Sequence, residues 1–216
     1  MAKRTLSLLM RRKGRRAEFV TRQHYLFKSV RSMSKVYEEL DDRLCQFIEK
    51  QKIFFVGSSP LRDDGLVNIS PKGMDSLRIL DSTTVAYLDF TGSGIETVAH
   101  VKENGRLAIM FCSFDTSPMI VRLHGRAKVV ETTSDAWERM QPLFPASRMA
   151  RAIIILSITR ISDSCGWGVP MYEYVGERDQ YQKYAERIDD SGLRQAQLES
   201  NLKSIDGLPG LERPSI

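Results

Sequence analysis

The sequence LVNISPKGMDSLRILDSTTVAYLDFTGSGIET, residues 66–97, contains the pattern that decides the fold. Three short apolar runs at 66–70, 77–80 and 84–90 are separated by turn residues. Short runs bounded by Gly, Pro, Asp and Ser are typical of antiparallel strands. The third run leads into the glycine-rich turn 91–94 and a helical pattern at 95–104, which Gly105 ends.

The rest of the chain extends this pattern on both sides. Apolar runs predict further strands at 53–59, 107–114, 119–130 and 152–161, while helical spacing predicts helices at 36–50, 135–143 and 177–203. About seven strands with short connections favour an antiparallel barrel over alternating strand–helix units. We therefore predict a mainly β (α+β) fold with short inserted helices and a helical C-terminal extension.

Positive charge is concentrated at the N-terminus. Residues 1–32 contain ten basic residues and one acidic residue, whereas the remainder contains 22 basic and 26 acidic residues. The N-terminal composition fits a targeting presequence, a spurious or disordered extension, or an arm that binds nucleic acid or membranes. We accordingly divide the chain into an extension (1–32), a barrel domain (33–175), and a helical extension with an irregular tail (176–216).

Composition also argues against several classes of protein. The mildly acidic body does not indicate nucleic-acid binding, and no apolar run reaches the roughly 20 residues of a membrane span. Three scattered cysteines without a C-x-x-C pair argue against a zinc knuckle or a disulfide framework. We expect a cytoplasmic protein, or a mitochondrial or plastid one if residues 1–32 are a presequence.

Two neighbouring segments could bind an anion. Thr91-Gly92-Ser93-Gly94-Ile95-Glu96-Thr97 joins a strand to a helix N-terminus, where backbone N–H groups and the helix dipole favour negative charge. Ser70 and Lys72 end an earlier strand, and a barrel could bring both segments to one rim. Considered alone, residues 91–97 are also compatible with a capped helix after a tight turn. Lys72, considered alone, is also compatible with an exposed lysine in a turn.

Four segments together resemble the pyridoxamine 5′-phosphate oxidase-like family of FMN-binding split barrels. They are VNISPKGMDSLRILD (67–81), VAYLDFTGSGIETVAHVKENGRLAIMFCSFD (85–115), VRLHGRAKVV (121–130) and SCGWGVP (164–170). The resemblance runs in order through about residues 35–175. It implies a split β-barrel that forms a homodimer and holds FMN at the subunit interface.

The same resemblance suggests which residues bind the cofactor and what the protein does. It points to Ser70, Lys72, Thr91, Ser93 and Thr97 for the FMN phosphate, and to Trp167 near the flavin. The vitamin B6 enzyme of this family has an Arg-Lys pair where this chain has Gly-Ile-Glu-Thr (94–97), so vitamin B6 oxidation is not expected.

Two functions remain open at this point. One is an FMN-dependent oxidoreductase acting on an unidentified small molecule, with no catalytic side chain assigned and no metal site. The other is a non-catalytic module that binds flavin, or haem through a lone histidine such as His100 or His124. Neither function requires an acid or base in the sequence, because a flavin carries the redox chemistry itself.

Overall fold

The computed structural model describes residues 34–212, so the predictions for residues 1–32 lie outside the described chain. The strands are β1 (Val36–Tyr37), β2 (Phe54–Ser58), β3 (Asn68–Lys72), β4 (Leu77–Asp81), β5 (Thr84–Phe90), β6 (Arg106–Cys112), β7 (Ile120–Glu131) and β8 (Ala150–Ser164). The α-helices are α1 (Asp42–Lys50), α2 (Glu96–Asn104), α3 (Asp135–Met140), α4 (Gln180–Arg187) and α5 (Asp190–Ser200). Among the described residues, no helix is long and apolar enough to cross a membrane.

The strands form one antiparallel sheet in the order β3-β2-β6-β7-β8-β5-β4, with β1 paired to β8. Strands β3 and β4 are its two edges, so the sheet is not closed. Together with the helices, this confirms the mainly β, antiparallel split-barrel prediction. The hairpin predicted for residues 53–70 is present as β2 and β3, paired from Phe54–Lys72 to Ser58–Asn68.

The main core lies on the concave face of the sheet. Strand β2 alternates buried and partly buried residues, as expected when only one face is covered. Helices α1 and α2 cover this face and bury a set of aliphatic side chains against the strands, Leu44, Ile48, Val98, Val101, Val56, Ile109 and Leu123. Burial of these groups is the dominant stabilising contribution to the fold.

Strand β8 is buried on both faces over its first half. Ile154 and Leu156 belong to the main core, whereas Ile153 and Ile155 pack with Phe144 in a second cluster under α3. A strand covered on both sides needs a continuous apolar run rather than an alternating one. This requirement explains the uninterrupted sequence AIIIL at 152–156.

Two predicted helices differ in extent from those observed. The pattern at 36–50 contains a short strand, and helix α1 begins only at Asp42, because the Asp41 side chain caps it by accepting from the Leu44 N–H. The pattern at 177–203 is divided into α4 and α5, because Asp189 caps a new helix through the Gly192 N–H. In both cases a capping aspartate overrides the apolar periodicity.

A bulge in β8 makes one glycine necessary. The register between β7 and β8 shifts after the His124–Arg160 pair, so that Gly125 lies opposite Ile158 and Thr159 is the extra residue. A Cβ atom at Gly125 would overlap the carbonyl group of Ser157. Glycine is therefore required at position 125 because the backbones of β7 and β8 approach each other too closely for a side chain.

We predict that Gly125→Ala lowers the free energy of unfolding by about 2 kcal/mol, because the strands must separate locally to accept the methyl group. The matched control is Gly168→Ala, at an exposed turn position with no neighbouring atom within 4 Å, which should leave stability nearly unchanged. Urea unfolding measures both values. Equal stability of the two variants would show that the strand contact is not constrained.

Candidate functional site

A cleft of about 1130 Å³ opens beside the ends of β2 and β3. One wall is formed by the α1–β2 junction and the end of β3, and the other by residues 172–181. Five aromatic rings line it, those of Phe55, Phe114, Tyr172, Tyr174 and Tyr181. An aromatic lining with a few charged groups is the usual composition of a site for a small molecule or cofactor, and the volume is sufficient for one.

Lysine side chains bring positive charge to this cleft. Lys50 pairs with Asp115 at 2.6 Å, and the Lys52 ammonium lies 5.9 Å from the centre of the Tyr174 ring. The contact with Lys50 holds the pKa of the Asp115 carboxyl below its usual range. Lys72, at the end of β3, is the lysine that connects the cleft to the protein interior.

The connection is the fully buried carboxylate of Asp89, on strand β5. Its Oδ1 atom accepts a hydrogen bond of 2.7 Å from Lys72 Nζ, and its Oδ2 atom accepts one of 2.8 Å from Arg151 Nε. Arg151 is itself only 6% exposed. One buried carboxylate therefore joins the edge strand β3 to strands β5 and β8 in the opposite half of the sheet.

The charges of this cluster do not cancel. Burial would raise the pKa of the Asp89 carboxyl, but the charges of Lys72 and Arg151 lower it below its ordinary value, so the group is ionised at neutral pH. One carboxylate faces two cations, which leaves one positive charge in excess. Lys72 is the member of the cluster that lines the cleft, so this excess charge is presented there.

The predicted site residues Ser70, on β3, and Thr97, on α2, belong to one row of hydrogen-bonded side chains. Ser70 donates to Asn68 Oδ1 at 3.2 Å, and Asn68 Nδ2 donates to Thr97 Oγ1 at 3.0 Å. The structure therefore links Ser70 and Thr97 through Asn68. The Thr97 hydroxyl accepts in this bond and also lies beside the buried Tyr87 hydroxyl.

Thr91 and Ser93 line a separate hollow of about 370 Å³ between the glycine-rich turn and helices α4 and α5. Gln197 donates to Thr91 Oγ1 at 2.9 Å, and the Tyr181 hydroxyl donates to the Thr91 carbonyl. Ser93 is exposed. Because Tyr181 lines both this hollow and the larger cleft, it separates Thr91 and Ser93 from Lys72.

The C-terminal segment (residues 180–212) holds the glycine-rich turn in place. Asn201 is fully buried, and its Nδ2 atom donates to the Gly92 carbonyl at 2.9 Å. Arg151 Nη1 donates to the Gly94 carbonyl at 2.8 Å and to Asn201 Oδ1 at 2.8 Å. The turn is thus fixed through its carbonyl groups by residues outside it.

The N-terminus of α2, predicted as the phosphate cradle, is covered by the chain itself. The Glu96 carboxylate folds back against Gly94, and its Oε1 atom accepts from the Ile205 N–H at 3.2 Å. Gly210 packs directly against the Ile95 side chain, where a Cβ would come within 2.9 Å of two carbons. In this conformation an acidic side chain and the C-terminal segment lie against the residues at the N-terminus of α2.

The remaining candidates lie apart from the cleft. Trp167 is 74% exposed in a turn and does not line the cleft within the described chain. His100 is fully buried, with its Nδ1 atom 3.0 Å from Ser58 Oγ, and burial lowers its pKa. His124 lies on β7, where burial likewise lowers its pKa.

Sequence reasoning did not identify Asp89, Arg151 or Asn201. A signal was present for the first two, since each is a charged residue inside an apolar strand, VAYLDF at 85–90 and ARAIIIL at 150–156. Buried charges are almost always paired, so two such residues of opposite sign suggest a contact. Asn201, in a polar helical stretch, carried no such signal.

Comparison with known proteins agrees with the geometry. Residues 40–165 match the family model described as pyridoxamine 5′-phosphate oxidase. The chain is also similar to the pyridoxamine 5′-phosphate oxidase family protein ustO of Aspergillus flavus. The two are 38% identical over 192 residues, which cover 81% of this chain and 77% of that protein.

Solved structures show more distant similarity. HupZ of Group A Streptococcus is 23% identical with a TM-score of 0.46, covering 57% of this chain and 98% of that one. An FAD binding protein from Mycobacterium smegmatis is 15% identical with a TM-score of 0.41, covering 59% of this chain and 96% of that one. At these identities we infer no shared function from them.

We predict that Asp89→Asn lowers the free energy of unfolding by about 3 kcal/mol at pH 7, because the buried Arg151 and the partly buried Lys72 lose their counter-charge. The folded-state pKa of Asp89 is lowered, so its contribution is present above the unfolded pKa of about 4 and is lost as pH falls through the folded value. The difference between wild type and variant should therefore shrink in acid.

The matched control for this prediction is Asp179→Asn, which removes an exposed pair with Lys183 and should change stability little. Chemical denaturation between pH 7 and pH 3 measures both variants. A constant difference for Asp89→Asn across this range would contradict an ionised carboxylate in the cluster.

Proposed function

The chain belongs to the pyridoxamine 5′-phosphate oxidase family, and from this premise we propose that it binds a flavin nucleotide and acts as an oxidoreductase on a small molecule. The observation that carries the proposal is the aromatic cleft with Lys72 at its inner end. A flavin combines a flat aromatic ring system with an anionic phosphate, and the cleft offers a partner for each.

The ring system fits the aromatic walls. Phe114 and Tyr172 already contact each other with ring centres 5.7 Å apart, and Tyr181 contacts Phe90 at the same distance. Offset and edge-on contacts of this kind are favourable between aromatic rings. A flavin between residues 172–181 and the end of β3 would bury its ring against these side chains.

The phosphate fits best at Lys72. An ammonium group has three donors, and among residues 34–212 the Lys72 ammonium donates one hydrogen bond, to Asp89, and lies 5.9 Å from the centre of the Tyr87 ring. Ser70, on the same strand two residues away, belongs to the row of hydrogen-bonded side chains that includes Thr97. We assign the phosphate contact to Lys72 with Ser70 nearby, and FMN as the simplest nucleotide that provides it.

The N-terminus of α2 does not fit a phosphate in the described conformation, because Glu96 and the C-terminal segment cover it. Thr91, Ser93 and Thr97 remain predicted ligands that would need this cover to move. The hydroxyl group of Thr91 accepts a hydrogen bond from Gln197, so it could still donate to an anion.

The bound flavin would supply the electron-transfer chemistry, and the protein would bind, orient and shield it. We assign no catalytic acid or base. Residues 172–181 form one wall of the cleft, so they would exclude water from a bound ring. The same arrangement without turnover would describe a flavin store, which is the second candidate function.

We also propose a homodimer with the cofactor at its interface. The exposed side chains Val67 (72%) and Ile69 (70%) lie beside and on the edge strand β3, and Trp167 (74%) and Val175 (96%) lie near the cleft wall in sequence. Exposed apolar clusters of this kind mark interaction surfaces. In the dimer, the partner's Trp167 would pack near the flavin.

The proposal is tested first by the absorption spectrum of the purified full-length protein, alone and after addition of FMN or FAD. We expect flavin bands, and release of the cofactor followed by mass measurement identifies the nucleotide. Reduction of the bound flavin by a nicotinamide cofactor, followed by its reoxidation, would support catalytic turnover rather than storage of the flavin. A haem spectrum, or a colourless protein that rejects both nucleotides, would exclude the flavin proposal.

Lys72→Met should weaken FMN binding at least about tenfold, because a charge-assisted phosphate contact contributes about 1.5–3 kcal/mol. Riboflavin lacks the phosphate, so its affinity should change little in the same variant. Lys50→Met is the matched control, since this cleft lysine is already paired with Asp115. Fluorescence titration measures all four affinities, and equal losses for FMN and riboflavin would place the phosphate elsewhere.

Ile69→Glu should shift the protein from dimer to monomer, because a charge would then lie in the proposed interface. Ile205→Glu is the control at a similarly exposed apolar position (67%) in the C-terminal segment. Light scattering at several concentrations gives the mass of each variant. A dimeric Ile69→Glu protein would move the interface away from β3.

A further inference from the structure

Asn201 lies at the point where the C-terminal segment meets the buried charge cluster. It is fully buried, and both ends of its amide are used. The oxygen accepts from Arg151, and the nitrogen donates to the Gly92 carbonyl. A neutral amide satisfies Arg151 here without adding charge, which a carboxylate of the same size could not do.

We propose that Asn201 is a positioning residue through which the C-terminal segment sets the affinity of the cleft for an anion. By holding Arg151 on Asp89, it leaves the charge of Lys72 available to a ligand phosphate. The inference rests on the proposed flavin function for the identity of the ligand, and on the hydrogen-bonded chain Lys72–Asp89–Arg151–Asn201 for the coupling.

The physical reason is the charge balance of the cluster. With Arg151 in place, Asp89 is neutralised and Lys72 carries the excess charge into the cleft. If Arg151 turned away or were itself neutralised, Lys72 alone would balance Asp89, and no charge would remain for an anion. Charges interact more strongly where water is largely excluded, so this difference in net charge would affect the binding of an anion several ångströms from the cluster.

The C-terminal segment is held firmly enough to impose this position. Arg148 pairs with Asp190 at 2.7 Å, Lys102 donates to the Gly210 carbonyl at 2.7 Å, and the Leu211 N–H donates to the Asn201 carbonyl at 2.8 Å. The first two contacts tie the segment to the rest of the domain on both sides of Asn201, and the third fixes the Asn201 backbone to the tail. The amide therefore reaches the cluster from a fixed backbone.

The decisive variant is Asn201→Asp in the full-length protein, which keeps the side-chain size and places a carboxylate on Arg151. We expect FMN affinity to fall about tenfold, while riboflavin affinity is unchanged. Gln195→Glu is the matched control, because it adds a carboxylate to an exposed position of the same helix, away from both Arg151 and Thr91. A purely structural role would weaken both ligands equally.

A second pair of variants decides the question if Asn201→Asp does not fold. Arg151→Gln removes the charge, and Arg151→Lys retains it while losing the contacts to Gly94 and Asn201. We expect a loss of FMN affinity, but not of riboflavin affinity, in Arg151→Gln, and only partial recovery in Arg151→Lys, because its charge is retained but is no longer held by Asn201. Equal FMN affinities in these two variants, or wild-type FMN affinity in a folded Asn201→Asp protein, would overturn the proposal.

Inorganic phosphate separates this inference from the flavin proposal. We expect phosphate to raise the thermal unfolding temperature of the wild type, and to do so less in Asn201→Asp. If the wild type binds no flavin but shows this difference, the flavin function fails and the role of Asn201 stands. If phosphate does not stabilise the wild type, or stabilises both proteins equally, the role of Asn201 is overturned.

Discussion

The carboxylate of Asp89 is the constraint on which the functional part of the fold depends. It is fully buried in a strand that is otherwise apolar, and a buried carboxylate is tolerated only when cations and hydrogen bonds surround it. Lys72 reaches it from the edge strand β3 and Arg151 from the long strand β8. The position of the edge strand is therefore tied electrostatically to the opposite half of the sheet.

This constraint also explains why the C-terminal segment belongs to the barrel. Arg151 donates to Asp89 through Nε, and its Nη1 atom donates to the Gly94 carbonyl and to Asn201. Satisfying one buried arginine thus fixes the glycine-rich turn and docks the end of α5. The cover over the N-terminus of α2 follows from the same docking, since Glu96 and Gly210 lie next to it.

The sequence predicted the candidate site in part. Lys72 lines the cleft, and Asn68 joins Ser70 to Thr97 by hydrogen bonds. Ser70 and Lys72 could be predicted because turn residues in the sequence mark the end of their strand. The glycine-rich turn was correctly placed between β5 and α2. Its contacts could not be foreseen, since Gln197 donates to the Thr91 hydroxyl and Asn201 to the Gly92 carbonyl from more than 100 residues away along the chain.

By itself the sequence determined the antiparallel strands, the helix after the glycine-rich turn and membership in the family, because these depend on local periodicity, turn chemistry and ordered motifs. Only the tertiary structure decided that the N-terminus of α2 is covered and that Asp89 joins Lys72 to Arg151. Those features depend on which side chains meet across the sheet. Burial makes an unpaired charge energetically unfavourable, so the Asp89 carboxylate requires a cationic partner. No local pattern in residues 66–97 identifies that partner.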